Sequence, residues 1–455
     1  MHYEKFADGT VKCIEDEIPF EVPEGWGWCN LSMIGQTNIG LTYKPSDKSS
    51  TGTMVLRSSN IVNGKIDLTD LVRVDCPIRE NQYAQDSDIL ICARNGSKAL
   101  VGKCAIISDI GERASFGAFM AIYRTPYYRY VYCYLNSGLF REVFDDGNST
   151  AINQLTQDMI KKARIPFPPL AEQIRIAEAV DKLLALTSEI TEQVIECSQL
   201  IQKAKSRILD LAIRGKLVPQ NPDDEPASVL LDRIRAEKEE LIKQGKIKQD
   251  KRESVIFRGE DNSYYLRTGD LIESLSDWGF DDLPDNWEIC CLGEVCDYGD
   301  CENVEASEIE ESEWILDLED IEKDTGKILT RITKAEREST STKHRFYKGQ
   351  VLYSKLRPYL NKVVLADQDG YCTSEILPLE FNSIILPEYA RYYMMSPTFL
   401  RYANRCSYGV KMPRLGTEDG KKAIVPVPPA REQAKITARI KSTFQFLDNI
   451  ASSLK

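Results

Sequence analysis

The chain repeats itself at a distance of about 260 residues, and that repeat constrains the fold more than any other feature. Val22-Pro23-Glu24-Gly25-Trp26, followed by Leu31 and Ile34, returns 261 residues later as Leu283-Pro284-Asp285-Asn286-Trp287, followed by Leu292 and Val295. Pro166-Phe167-Pro168-Pro169-Leu170-Ala171-Glu172-Gln173 returns 260 residues later as Pro426-Val427-Pro428-Pro429-Ala430-Arg431-Glu432-Gln433. Between these opening and closing motifs lie short Val/Ile/Tyr/Phe-rich segments broken by Gly, Asn, Asp and Pro, the texture of a mixed α/β domain. One of them, Asp88-Ile89-Leu90-Ile91, matches Gly349-Gln350-Val351-Leu352-Tyr353 more weakly and reads as a buried strand. At 455 residues the chain exceeds what one hydrophobic core usually organises, so each copy is expected to be its own globular unit.

Behind the first Pro-Pro the pattern changes to helix, with neither Gly nor Pro from Ala171 until Gly215. A helix over 171–214 would be roughly 66 Å long. Ile176, Val180, Leu183, Thr187, Ile190, Val194, Cys197, Ile201, Ala204, Ile208 and Leu211 alternate spacings of four and three, the a/d seam of a left-handed coiled coil. The C-terminal tail repeats the seam in register at Ile436, Ile440, Thr443, Leu447, Ile450 and Leu454. Equivalent helices of a duplication folded about a pseudo-two-fold axis run antiparallel, so the two helices are expected to pair. The competing arrangement packs each helix on its own domain. The stretch from Cys197 to Leu211 has no matching partner in the short C-terminal helix, which leaves room for a dimer through that spare seam. The expected architecture is α+β: a first domain over 1–166, a central helical spacer over 167–251 with a short helix near 230–244, a second domain over 252–425 and a C-terminal spacer helix over 426–455.

Composition excludes several function classes. The only histidines are His2 and His344, too few for histidine-based acid–base or nucleophilic chemistry. Thirteen scattered cysteines point to reduced thiols and not to a disulfide frame. The tightest group, Cys290, Cys291, Cys296 and Cys301, has neither a Cys-x-x-Cys pair nor a nearby histidine, so no metal and no cofactor is expected. No apolar run is long enough to span a bilayer and the N-terminus carries no secretory pattern, so the expected location is the cytoplasm. A net charge of −12 argues at first against DNA. The acidity is local, however: residues 270–324 carry 21 acidic side chains against one basic, whereas 325–425 carry 9 acidic and 17 basic.

Gly215-Lys216-Leu217-Val218-Pro219-Gln220, with its Asp224-Glu225-Pro226-Ala227 tail and two Pro-x-Pro-Pro-x-x-Glu-Gln closings, resembles the specificity subunits of Type I restriction–modification enzymes, and the likeness covers essentially the whole chain. The resemblance implies two target-recognition domains, each reading half of a split double-stranded DNA sequence. It also implies helices that fix the gap and dock modification (methyltransferase) subunits, two of them, through which restriction subunits join the complex. Catalysis would then lie in those other subunits. The residues agree, for there is no Asn/Asp-Pro-Pro-aromatic tetrapeptide and no Gly-x4-Gly-Lys-Ser/Thr loop. The chain departs from the family in two places. The C-terminal helix is shorter than expected, so either the chain is truncated or the coil is asymmetric. Ile18-Pro19-Phe20-Glu21 resembles what normally follows the central helix, a circular arrangement that the family tolerates. Competing readings are a fused or unrecognised restriction enzyme, which needs catalytic motifs not found, and a structural adaptor that binds no DNA.

Base readers are expected among loop side chains with bidentate reach, because Arg pairs with guanine and Asn or Gln with adenine in the major groove. In the first half these are Arg94, Asn95, Lys98 and Lys103, with the Gly147-Asn148-Ser149-Thr150 loop, Asn153 and Gln154. In the second they are Lys355, Arg357, Asn361 and Lys362, with Tyr408, Lys411 and Arg414. Tyr127-Tyr128-Arg129-Tyr130 and the stretch from Tyr389 to Tyr393 could form stacking strips for bases. Their helical spacing favours core aromatics instead.

Overall fold

The computed structural model describes residues 3–5, 8–143, 154–244, 254–261, 263–338 and 340–454. These divide into two compact units, Met1–Thr191 and Glu192–Lys455.

The first unit is organised by strands β1 (Gly27–Asn30), β2 (Gln36–Ile39), β3 (Lys48–Leu56), β4 (Val72–Val74), β5 (Ile89–Cys92), β6 (Cys104–Ile106), β7 (Ala114–Phe116) and β8 (Met120–Arg124). Helix α1 (Tyr128–Leu135), strand β9 (Arg164–Phe167) and the start of helix α2 (Leu170–Ile213) complete it. An antiparallel sheet runs in the order β6-β5-β8-β2. Successive side chains of a strand point to opposite faces. Thus Ile89 and Ile91 face a core shared with α1 and Leu31, while Leu90 and Cys92 face Met54, Leu56 and Phe116 of the second sheet, β7-β3-β4. Burial on both faces is why β5 reads as an unbroken apolar run.

The second unit contains helix α3 (Ala227–Lys243) and a three-stranded sheet, β10 (Ser254–Arg258), β11 (Tyr264–Thr268) and β12 (Leu271–Ser274). Then follow β13 (Glu288–Cys291), β14 (Trp314–Leu316), β15 (Lys343–Phe346), β16 (Val351–Ser354), β17 (Val363–Leu365), β18 (Gly370–Thr373) and β19 (Ile376–Leu379). Helices α4 (Pro387–Met394) and α5 (Pro397–Cys406), strand β20 (Ile424–Val427) and helix α6 (Ala430–Ser453) close it. Strands β17-β16-β19 form one antiparallel sheet, and Val351 and Tyr353 face the main core while Leu352 faces a smaller one around Trp314 and Phe346. Ala227, Leu231, Tyr264 and Leu266 belong to that main core, so α3 and the β10–β12 sheet are built into the second unit.

The repeated motifs have a physical reason that is the same in each unit. The opening motif leads into a strand that pairs antiparallel with the strand of the closing motif, β1 with β9 and β13 with β20. The opening tryptophan then donates its indole N–H to the closing glutamate: Trp26 Nε1 to Glu172 Oε2 at 3.0 Å, and Trp287 Nε1 to Glu432 Oε2 at 3.0 Å. The neighbouring glutamine caps the chain reversal through its own amide, Gln173 Nε2 to Pro168 O at 2.8 Å and Gln433 Nε2 to Pro428 O at 3.0 Å. The N-terminal end of each long helix is thereby locked to the domain whose closing motif it follows.

The tyrosine strips belong to this frame. Tyr130 and Tyr134 of α1 donate to Pro166 O and Arg164 O at 2.6 and 2.9 Å, and Tyr389 and Tyr393 of α4 donate to Pro426 O and Ile424 O at 2.8 and 2.7 Å. Buried and bonded to the closing strands, these four rings are core members and offer no surface to a base.

In the second unit the clasp has a third member. Gln220 Nε2 donates to Glu432 Oε1 at 2.6 Å and to Gly215 O at 3.1 Å. Gly215 has φ +67°, and a Cβ there would lie 2.4 Å from Pro284 Cγ, so both its backbone conformation and the close approach require glycine. The Gly-Lys-Leu-Val-Pro-Gln string is therefore a packing element that ties the end of α2 to the opening motif of the second unit.

The helical seam departs from its expectation. Within the second unit the C-terminal part of α2 and α6 run antiparallel, with Lys205 Nζ 2.6 Å from Asp448 Oδ1 and 5.3 Å from the centre of the Phe444 ring. Ile201, Ile436 and Ile440 are buried, and Ile208 packs against the same core. Thr443, Leu447, Ile450 and Leu454 are half-buried, as are Val194, Cys197, Ala204 and Leu211. The deepest positions at the end of α2 are Leu209, Ala212 and Ile213, because those last turns enter a globular core and not a two-helix seam. Within the first unit Ile176 packs on the core and Val180 is half-buried. Leu183 and Ile190, expected inside the seam, are 64% and 51% exposed, as is Thr187. The expectation that Cys197–Leu211 lacks a partner is reversed: antiparallel pairing lays the short α6 against that stretch.

Candidate nucleic-acid interface

In each unit a segment ahead of the closing strand is pinned beside the end of a central strand. In the first, Leu155 N donates to Ala93 O at 2.7 Å and Arg94 forms an antiparallel bridge with Gln154. In the second, Leu415 N donates to Lys355 O at 3.0 Å and Leu356 forms an antiparallel bridge with Arg414. Leu155 and Leu415 are both buried at 1% exposure and anchor these loops to the cores. The scaffold position is the same; the side chains it presents are not.

In the first unit Arg94 and Ala93 both donate their backbone N–H to Phe119 O, at 3.0 and 2.9 Å. The Arg94 guanidinium lies 5.6 Å over the Phe119 ring, and Phe119 itself is 60% exposed. Stacking of this kind orients a guanidinium while leaving its N–H edge to a ligand. Asn95 is partly committed, because its Oδ1 accepts from Ser97 N at 3.0 Å and its Nδ2 donates to Ser58 Oγ at 3.4 Å. Beside Phe119 opens a cavity of about 520 Å³ lined by Tyr43, Lys48, Arg57 and Ser58. Arg57 is spent on Asp70, with Nη2 to Oδ2 at 2.7 Å. Sequence reading missed Phe119 and Tyr43; an aromatic between Ala118 and Met120 gave no periodic signal to mark it as exposed. Lys98 opens a short 3-10 turn, and Lys103 lines a separate small cavity with Asn136 and Arg141. Gln154 is exposed, whereas Asn148, Ser149 and Asn153 lie outside the described residues.

In the second unit the expected readers separate into two groups. Three serve the fold. Lys362 Nζ donates to Leu318 O at 2.6 Å, and burial pushes its amine below the ordinary lysine value. Asn361 sits at φ +49° with Nδ2 donating to Met395 O at 3.2 Å. Arg414 is spent on Glu375, with Nη2 to Oε1 at 2.7 Å. Lys355, Arg357, Tyr408 and Lys411 remain. Arg357 N donates to Pro413 O at 2.7 Å, which sets Arg357 beside the 408–414 loop. Its Nε is buried without a hydrogen-bond partner among the described residues, and the side chain as a whole is half-buried.

The charge imbalance resolves in the same way. Arg337 pairs with the buried Asp320 at 2.6 Å, Lys334 with Glu311 at 2.9 Å and Arg345 with Glu302 at 3.6 Å. Arg405 pairs with Asp277 at 3.2 Å, so four cations of the basic segment reach back to the acidic one. Among the described residues Lys355, Arg357 and Lys411 have no ion-pair partner. All thirteen cysteines are free, and burial raises the thiols of Cys290 and Cys296. Among the described residues no cluster of His, Cys, Asp or Glu could hold a metal ion, and no helix is long and apolar enough to cross a membrane.

A scaffold built twice, each copy ending in a long helix and presenting a differently furnished loop, defines a class: a tandem recognition protein. Comparison specifies it further. The chain matches the Type I restriction modification DNA specificity domain over residues 23–197 and again over 284–454, and it belongs to that family. It is 26% identical to the EcoKI specificity subunit of Escherichia coli strain K12 over 440 residues, 94% of this chain and 84% of that one. It is also 26% identical to the Escherichia coli EcoDI specificity subunit over 380 residues, 81% of this chain and 73% of that one. A chain from a study of Type I restriction–modification assembly and conformational transition shares the fold with a TM-score of 0.58 at 16% identity, covering 96% of this chain and 94% of that chain. The HsdS subunit of Thermoanaerobacter tengcongensis gives 0.51 at 16% identity, covering 96% and 92%.

Proposed function

We propose that this chain is the sequence-reading, non-catalytic subunit of a Type I restriction–modification complex, acting in the cytoplasm, with each domain recognising one half of a bipartite double-stranded DNA site. The observation that carries this reading is the pair of equivalently pinned loops, Arg94–Gln154 and Leu356–Arg414, on one scaffold with unlike side chains. Two half-sites of different sequence need the same geometry twice and different contacts. Within each domain the opening and closing motifs pair, and a long helix runs on from the closing motif. In this reading Arg94, with Asn95, Gln154 and Phe119, reads in the first domain, and Arg357 reads in the second with Lys355, Lys411 and Tyr408 around it.

The spacer also offers a place for the modification subunits, two of them by the duplication. Leu183, Leu184, Leu186 and Ile190 of α2, all in the first unit, are each more than half exposed, apolar side chains that a partner subunit would cover. Leu184→Asp together with Ile190→Asp is expected to abolish co-purification with the modification subunit and to leave the chain's own unfolding unchanged. Retained assembly would remove this stretch from the interface.

The direct test co-expresses the chain with a matching modification subunit and maps adenine methylation genome-wide by single-molecule sequencing, against a strain lacking this chain. A split motif with a fixed gap that depends on the chain is the expected result; an assembled, active modification subunit with no such motif would favour an adaptor. Inserting one heptad within 183–191 adds about 10 Å of helix and is expected to change the gap while both half-sites stay as they were.

A further inference from the structure

Residues 408–414 form a finger whose stem is tied across itself and to the neighbouring loop. Tyr408 N donates to Arg414 O at 3.0 Å and Arg414 N returns the bond to Tyr408 O at 2.9 Å. Arg357 N donates to Pro413 O at 2.7 Å, Glu375 clamps the Arg414 guanidinium, and Gly409 takes φ +98° to turn the chain. At the tip Val410 is fully exposed, at 102%, and Met412 is 45% exposed. The stem holds these exposed side chains out beside Lys355, Arg357 and Lys411, which have no ion-pair partner among the described residues. An apolar tip on a braced stem, with Lys411 on it and Lys355 and Arg357 bonded to its base through their backbones, fits a polyanion that also presents an apolar spot.

Resting on the DNA-reading function above, we infer that Val410 touches the 5-methyl group of a thymine in the half-site read by the second domain. That methyl is the one apolar feature of the major-groove edge. An intercalating wedge would need packing behind it to hold a base step open, and Val410 has none. A β-branched side chain with few rotamers, by contrast, loses little freedom on contact. Lys411 next to it meets the backbone phosphate, and Arg357 supplies the hydrogen bonds that Val410 cannot.

The test uses the assembled methyltransferase and a duplex carrying the site found by methylation mapping, with deoxyuridine replacing each thymine of the second half-site in turn. One replacement is expected to weaken binding of the unaltered complex about three- to fivefold, the worth of one buried methyl. Val410→Ala should lose the same factor on the thymine duplex and become indifferent to deoxyuridine at that position. Equal sensitivity of both complexes at every position, or a second half-site without an A·T pair, overturns the inference. So does Val410→Ala lowering the yield of assembled complex instead of DNA affinity, which would make the tip a protein contact. A complex that binds and methylates its split site but ignores Val410→Ala refutes this contact alone; absence of any split site refutes the DNA-reading function itself.

Discussion

Trp287→Ala is expected to destabilise the second unit by about 3–5 kcal/mol, the range for deleting a large buried aromatic. Trp287 is 2% exposed and its indole satisfies the Glu432 carboxylate, which is itself 1% exposed. Removing the ring opens a cavity against Gly215 and Pro284 and leaves a buried acceptor short of a donor. Burial already raises the Glu432 pKa, so the vacated carboxylate would be held more strongly in its protonated form. The equivalent Trp26→Ala is expected to cost less than half as much, because Trp26 is only half-buried and no counterpart of Gln220 completes its clasp among the described residues. Amide hydrogen exchange, which resolves the two units separately, measures both losses. Equal losses at the two positions would show that the third member of the clasp contributes nothing.

Arg357→Ala is expected to cost about 1–3 kcal/mol of specific DNA binding, some five- to 150-fold, and to relax base preference at one position of the second half-site. The backbone tie of Arg357 to Pro413 O and the lack of an ion-pair partner among the described residues are the reason to expect a bidentate contact there and not a loose phosphate contact. Arg357→Lys separates the two: it keeps the charge, so the salt slope of binding holds, but it loses the fork and should discriminate as poorly as alanine. Lys411→Ala should do the opposite, weakening all sequences alike and reducing the salt slope by about one. If Arg357→Ala and Lys411→Ala behaved identically, Arg357 would be a phosphate contact and base reading would pass to other side chains. Lys362→Ala and Arg414→Ala are controls for the fold, since their charges are spent on Leu318 O and Glu375.

Both halves of this division trace to what a linear chain can display. The duplication, the long helix and the opening and closing motifs were legible because they rest on local pattern: identical residues at a fixed shift, a 3.5-residue periodicity, and proline where a helix begins. Even the meaning of the tyrosines was half visible, since Tyr130 and Tyr134 recur 259 residues later as Tyr389 and Tyr393. The readers were legible only as residue types. Arg357, Lys362 and Arg414 are alike in the sequence as cations in polar loops. Whether such a cation is available depends on an acceptor far along the chain, Leu318 O for one and Glu375 for another, and no local pattern encodes that pairing. The exposed Leu183 and Ile190 show the same limit, because a seam position is buried only where an antiparallel partner reaches it. Sequence by itself determined the repeat, the helices and the family; the tertiary structure decided which side chains are consumed by the fold and which are left facing outward, because burial and hydrogen bonding are set by contacts between residues that the chain order keeps apart.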